Sequence, residues 1–103
     1  MGVSIRTIAG QLPDTATDLY TVPAGIKAYV KAVSLFNTSL GLELPVLYLT
    51  IDGVQATIAA PPIDSNESAQ VTGIGLKGGD SIDGETTTAS TVDYTIEVVE
   101  DNE

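Results

Sequence analysis

The sequence predicts an all-β protein, built as an antiparallel β-sandwich or barrel. Short apolar segments rich in Ile, Val, Thr and Tyr recur about every 8 to 12 residues, and turn-forming residues separate them. The 103 residues include 10 glycines and 5 prolines, and no window keeps a helical period over three turns. A chain of this length forms one core, so we expect residues 1–103 to be a single domain.

Eight segments have the composition of strands, with a short N-terminal segment before the first and an acidic C-terminal tail after the last. The predicted strands are Val3–Gly10, Asp18–Val22, Lys27–Asn37, Leu44–Ile51, Val54–Ala60, Ser68–Leu76, Ser81–Thr86 and Thr91–Glu100. The last of them, "TVDYTIEVVE", alternates apolar and polar residues, as a strand between a core and water does.

Turn chemistry supports these boundaries. Asp52 and Gly53 separate two apolar runs, and Asp-Gly supplies the positive φ angles of a type I′ hairpin. Pro23 cannot donate to a ladder, so it ends the second strand before the chain turns at Gly25.

Composition excludes several classes of function. The chain has 4 basic and 14 acidic residues and a net charge of -10, which would repel nucleic acid. It has no cysteine and no histidine, so thiolate sites, common zinc sites and the usual serine triad are absent. No apolar run approaches the ~20 residues that span a bilayer, and the N-terminus lacks the pattern of a signal peptide. We expect no enzyme activity, no cofactor, no metal, no small-molecule substrate and no membrane.

The stretch "LKGGDSIDGETTTAS" is the best candidate for a ligand site, because Asp80, Asp83 and Glu85 lie close together beside glycines. Their spacing of three and two residues does not match a calcium loop. We interpret the stretch as two turns around a short strand, with Ile82 inward and the three acids in solvent. Ile82→Asp should then damage folding far more than Asp83→Ala.

Two strands are apolar on both faces. In "KAYVKAVSLFN" and "LELPVLYLTI" apolar side chains occupy both parities. A β-bulge could shift the parity within a strand, or a second subunit could cover the outer face. On the second interpretation, the candidate self-association residues are Tyr29, Val33, Val46 and Tyr48.

Three phrases, "LYTVPAGIKAYVKAVSLFNTS", "LTIDG" and "LKGGDSIDG", occur in this order before the closing "VDYTIEVVE". With them the chain resembles small β-sandwich virion accessory proteins of tailed bacteriophages. The resemblance implies a jelly-roll-like sandwich and a homo-oligomer, often a trimer. It also implies a capsid decoration (cement) protein, made in the host cytoplasm, that binds the major capsid protein on the virion surface. The matched residues are structural, so a tail or baseplate component stays an alternative, and so does a carbohydrate-binding module.

Overall fold

The computed structural model describes residues 2–102, which form eight strands. The strands are β1 (Gly2–Gln11), β2 (Thr17–Thr21), β3 (Lys27–Asn37), β4 (Val46–Ile51), β5 (Val54–Ala59), β6 (Ser68–Lys77), β7 (Ser81–Glu85) and β8 (Val92–Asn102). All eight predicted strands are confirmed, and the largest differences are two residues, at the start of β4 and the end of β8. Within the described range, no helix is long and apolar enough to cross a bilayer.

The strands form two four-stranded sheets. Sheet 1 has the order β1-β8-β3-β6 and sheet 2 has the order β2-β7-β4-β5. Strand 1 pairs with 8, 2 with 7, 3 with 6 and 4 with 5, each antiparallel. One long hairpin, rolled so that its pairs alternate between two sheets, gives this pattern, which is the jelly roll. The antiparallel, jelly-roll-like sandwich that we predicted is confirmed.

The core lies between the sheets and consists of aliphatic side chains from both. Those buried completely are Leu12, Val30, Val33, Leu47, Ile82, Val92, Ile96 and Val98. Gly84 faces this core from β7, and a Cβ there would lie only 2.9 Å from Leu19 and 3.0 Å from Leu12. Leucines from the flanking strands β2 and β4 and from the loop after β1 therefore fill the space that a side chain at Gly84 would take.

A bulge explains the two-faced pattern of β3. The register of β3 against β8 shifts between Val30 and Ala32. As a result, Val30 before the bulge and Val33 after it both point into the core, although their positions differ in parity. The bulge interpretation is confirmed for this strand.

The hairpin and turn predictions also hold. Asp52 has φ 53° and Gly53 has φ 81°, which is the conformation of a type I′ turn. Gly25 has φ 79°, and the Ile26 amide donates to the Pro23 carbonyl at 3.2 Å.

The loops gather at two ends of the sandwich. The terminal end holds loops 22–26, 52–53 and 78–80 together with Gly2 and Asn102, which pair with each other. The distal end holds loops 12–16, 38–45, 60–67 and 86–91. Because β8 continues to Asn102, the acidic residues that the sequence suggested as a tail extend the ladder with β1, and Glu103 lies outside the described residues.

Candidate functional site

The four candidate self-association residues do not lie on one surface. Tyr29 is on the outer face of sheet 1 and is 53% exposed, whereas Val46 and Tyr48 are half-buried in β4, in sheet 2. Val33 is fully buried in the core and has no surface to offer a partner. The bulge in β3 is the physical reason, because it turns Val33 inward and leaves Tyr29 outward.

In the stretch Leu76–Ser90, one part of the prediction is confirmed and another is wrong. Ile82 is fully buried in the core, as expected. Asp80 and Asp83, which we expected in solvent, are only 4% and 3% exposed. Neighbouring strands and loops cover both carboxylates and supply hydrogen bonds to them, which a charged group requires when it is buried.

Asp83 lies at the centre of a polar cluster on sheet 2. Its carboxylate accepts hydrogen bonds from Thr50 Oγ1 at 2.7 Å, Ser81 Oγ at 3.0 Å and Gln55 Nε2 at 3.1 Å. Asp18 lies directly opposite it in the β2–β7 ladder. Burial alone would raise the pKa of Asp83, but the hydrogen bonds from Asp18 and the other donors outweigh burial and lower it. The pKa of Asp18 is raised, first by its hydrogen bond to Asp83 and then by burial, so Asp18 is the member of the pair that takes up a proton first as pH falls.

Asp80 ties the loops of the terminal end together. It accepts a hydrogen bond from the Lys77 backbone amide at 3.1 Å, and the Lys77 Nζ lies 3.2 Å from its Oδ1 and 2.8 Å from Asp52 Oδ1. The backbone hydrogen bond is the main reason that the pKa of Asp80 is lowered. The two carboxylates raise the pKa of Lys77.

Glu100 joins the two sheets. The Tyr20 hydroxyl of sheet 2 donates to Glu100 Oε2 at 2.5 Å, and Arg6 Nη1 lies 3.2 Å from the same oxygen. Burial, followed by the hydrogen bond to Glu100, raises the pKa of Tyr20. The guanidinium of Arg6 also stands 6.0 Å from the centre of the Tyr20 ring, at the outer limit of a cation–π contact.

Glu43 anchors the 38–45 loop through hydrogen bonds of its side chain and its backbone. Its Oε1 accepts hydrogen bonds from Thr86 Oγ1 at 2.9 Å and from the Thr88 amide at 3.1 Å. Glu43 also exchanges two backbone hydrogen bonds of 3.0 Å with Ile63. Burial alone would raise the pKa of Glu43, but the hydrogen bonds, with that from the Thr88 amide first, lower it.

Asn37 holds the same loop through three hydrogen bonds of its side-chain amide. Its Nδ2 donates to the carbonyls of Gly41 and Ile63, both at 2.8 Å, and its Oδ1 accepts from the Ser39 amide at 2.8 Å. Asn37 itself is fully buried. Buried polar side chains thus hold the loop in one conformation.

The anchored loop carries three exposed leucines. Leu40 is 99% exposed, and Leu42 and Leu44 are a little over half exposed. We name residues 38–45 the leucine loop. The sequence analysis missed it, although the alternation in "LGLEL" was a usable signal, with buried Glu43 between two exposed leucines.

A second apolar surface lies on the outer face of sheet 1. Ile5, Val99 and Tyr29 are direct partners across β1, β8 and β3, and Val3 lies two residues from Ile5 on the same face. We name these four residues the sheet patch. Beside Tyr29 the patch is flat, because β6 carries Gly73 and Gly75 there, and the tyrosine hydroxyl lies 3.5 Å from where a Cβ of Gly73 would be.

Across residues 2–102 there is no enclosed cavity and no group of three or more side chains placed to hold a metal ion. In the same range, every buried side-chain nitrogen or oxygen has a hydrogen-bond partner. Exposed apolar side chains lie together on the surface in the leucine loop and in the sheet patch.

No protein-family model matches the sequence, and no curated protein matches it. Several solved structures share the fold. A chain in the acidic stable capsid of Helicobacter pylori bacteriophage KHP30 superposes with a TM-score of 0.56 at 11% identity, over 95% of this chain and 86% of that one. A chain of the T13 viral particle of IBDV gives a TM-score of 0.58 at 9% identity.

A chain from Bacillus endospore appendages, described as disulfide-linked pili, also gives a TM-score of 0.58, at 17% identity and over 98% of this chain and 87% of that one. The match to the IBDV chain is partial, because the present protein spans only 30% of that chain's length. At such identities the likeness establishes the fold, and the neighbours that carry it include proteins of viral particles.

Proposed function

We propose that this protein is a structural component of a bacteriophage virion, and that it decorates the capsid as a homotrimer bound to the major capsid protein. The observation that carries the proposal is the likeness to the KHP30 capsid chain, which covers 95% of this chain and 86% of that one. The phrases of the sequence that resemble phage accessory proteins point the same way.

The chemistry of the surface supports a role in contacts. A cement protein stabilises a shell through contact area and complementarity, so it needs exposed apolar side chains on a rigid framework. The leucine loop supplies such side chains, and Glu43 and Asn37 supply the rigidity. The net charge of -10 suits an outward surface better than one that faces packaged DNA.

The proposal is tested by mixing the purified chain with expanded and unexpanded capsids assembled from the major capsid protein of the same genome. We expect saturable co-sedimentation with expanded capsids and a higher temperature of capsid disruption. Binding to neither form, with no change in heat resistance, would contradict decoration.

A second candidate is a subunit of a surface filament. The likeness to the endospore appendage chain favours it, because that match also covers most of both chains. Electron microscopy of the concentrated chain separates the two functions: a filament subunit gives fibres of constant diameter, and a decoration protein gives discrete particles.

A further inference from the structure

The leucine loop and the sheet patch differ in charge. The four loops of the distal end expose Asp14, Asp64 and Glu67, and they contain no lysine or arginine. The sheet patch lies on the sheet that carries every basic residue of the chain, with Arg6 on β1, Lys27 and Lys31 on β3, and Lys77 on β6.

The basic residues lie close to the sheet patch. Lys31 is exposed two residues from Tyr29, and Lys27 pairs with Lys77 in the row next to that of Tyr29. Asp101 and Glu97 share the strand that carries Val99, so this face has charges of both signs. Lys31 is an exposed cation that an acidic, apolar partner would meet there, whereas Arg6 and Lys77 already bind carboxylates of their own chain.

We propose that the leucine loop of one copy of this chain docks on the sheet patch of a second copy. Leu40, Leu42 and Leu44 would cover Val3, Ile5 and Tyr29, and the acids of the distal end would approach Lys31 and its neighbours. This contact covers two exposed apolar surfaces and pairs opposite charges at their rims.

The two symmetric contacts are less favourable. Loop against loop would bring Asp14, Asp64 and Glu67 of one copy against the same acids of another, without a cation from either distal end. Patch against patch would leave the leucine loop and the acids of the distal end without a partner. Juxtaposed like charges oppose association, so the head-to-tail arrangement is preferred.

Head-to-tail docking has a structural consequence. The two surfaces lie toward opposite ends of a molecule 45 Å long, so each copy offers one free loop and one free patch to its neighbours. Such a heterologous contact closes into a ring when the rotation between copies allows it, and otherwise forms a filament. The inference rests on the self-association part of the proposed function, and does not depend on capsid binding.

The experiment uses two variants of the full chain. The loop variant carries Leu40→Ser and Leu42→Ser, and the patch variant carries Ile5→Thr and Tyr29→Thr. All four side chains are exposed, so both variants should fold, which circular dichroism and melting curves check. Val54→Thr is the matched control, since Val54 is 68% exposed but lies on β5 of the other sheet.

The masses of the species in solution are measured by sedimentation equilibrium. We expect the wild type and the control to associate, and each double variant alone to be monomeric with a dissociation constant raised about tenfold or more. Mixed together, the two variants should form a 1:1 pair, because one retains an intact patch and the other an intact loop.

Other outcomes overturn the docking. Either double variant keeping the wild-type mass, or a mixture that stays monomeric while the wild type associates, contradicts head-to-tail contact but leaves the proposed trimer intact. A wild type that is monomeric at every concentration contradicts both, and capsid co-sedimentation, scored separately, shows whether decoration fails as well.

Discussion

Glu43→Gln should weaken the fold and loosen the leucine loop at neutral pH. The amide has nearly the same size as the carboxylate and can still accept from Thr86 and Thr88, so the change removes charge and little else. A hydrogen bond to a charged group contributes about 1.5–3 kcal/mol and a neutral one about 0.5–1.5, so each of the two bonds should lose about 1 kcal/mol. The total of about 2 kcal/mol corresponds to a decrease of roughly 8–16 °C in melting temperature for a domain of this size.

The lowered pKa of Glu43 gives this prediction a second, independent measurement. A carboxyl whose pKa is lower in the folded state stabilises the fold above its ordinary pKa of 4.5, and that contribution is lost as pH falls through the folded value. The difference in stability between wild type and variant should therefore be complete at neutral pH and smaller at about pH 3.

Urea unfolding at neutral pH and at about pH 3 measures the difference in the free energy of unfolding between wild type and Glu43→Gln. Glu67→Gln, at an exposed acid of the same end, is the control and should change little at either pH. A Glu43→Gln variant within about 0.5 kcal/mol of wild type at neutral pH would refute the anchoring role, because ordinary surface substitutions have effects of that size. So would an equal loss at both pH values.

Four further substitutions test the packing of the core and the pair of acids Asp18 and Asp83. Gly84→Ala should destabilise by about 1–3 kcal/mol in urea unfolding, because its methyl group would collide with core leucines; an unchanged midpoint would contradict the close packing of these leucines around Gly84. Asp18→Asn should raise the melting temperature at neutral pH, because the amide can donate to Asp83 where the carboxylate cannot. Because the pKa of Asp18 is raised in the folded state, the contribution of its carboxyl to the free energy of unfolding is complete below pH 3.8 and is lost as pH rises. A gain in melting temperature that persists at about pH 3 would therefore refute this interpretation. Asp14→Asn is the control for the change in net charge. Ile82→Asp should still damage folding more than Asp83→Ala, because Ile82 lies in the core. Asp83→Ala should also destabilise measurably, because it leaves buried Ser81 without its acceptor; an Asp83→Ala variant as stable as wild type would contradict the cluster.

The sequence was sufficient to predict the strands, because each has local signals of its own. Alternation identified β8, and Asp52-Gly53 identified the hairpin between β4 and β5. The pairing of β1 with β8 joins residues far apart in the sequence. The sequence analysis did not predict this pairing, because no local pattern encodes a contact between such distant segments.

The buried acids could not be predicted in the same way. Asp80 and Asp83 follow glycines or flank a turn, and such residues are usually solvated. Their burial depends on Thr50 and Gln55, which strand pairing brings to Asp83 from more than twenty residues away, and on the turn that returns Asp80 to Lys77. The error in placing Val33 on the surface has a similar origin, because the position of a bulge depends on the partner strand.

The location of the chain in the particle tests the central proposal most directly. Heads and tails of the virions that the proposed function predicts to contain this chain are separated, and the copy number of the chain relative to the major capsid protein is measured by quantitative mass spectrometry. The proposed function predicts the chain in the heads, in a fixed ratio to the major capsid protein and in multiples of three per particle. A chain that is found only in the tails, or in neither fraction, would contradict capsid decoration.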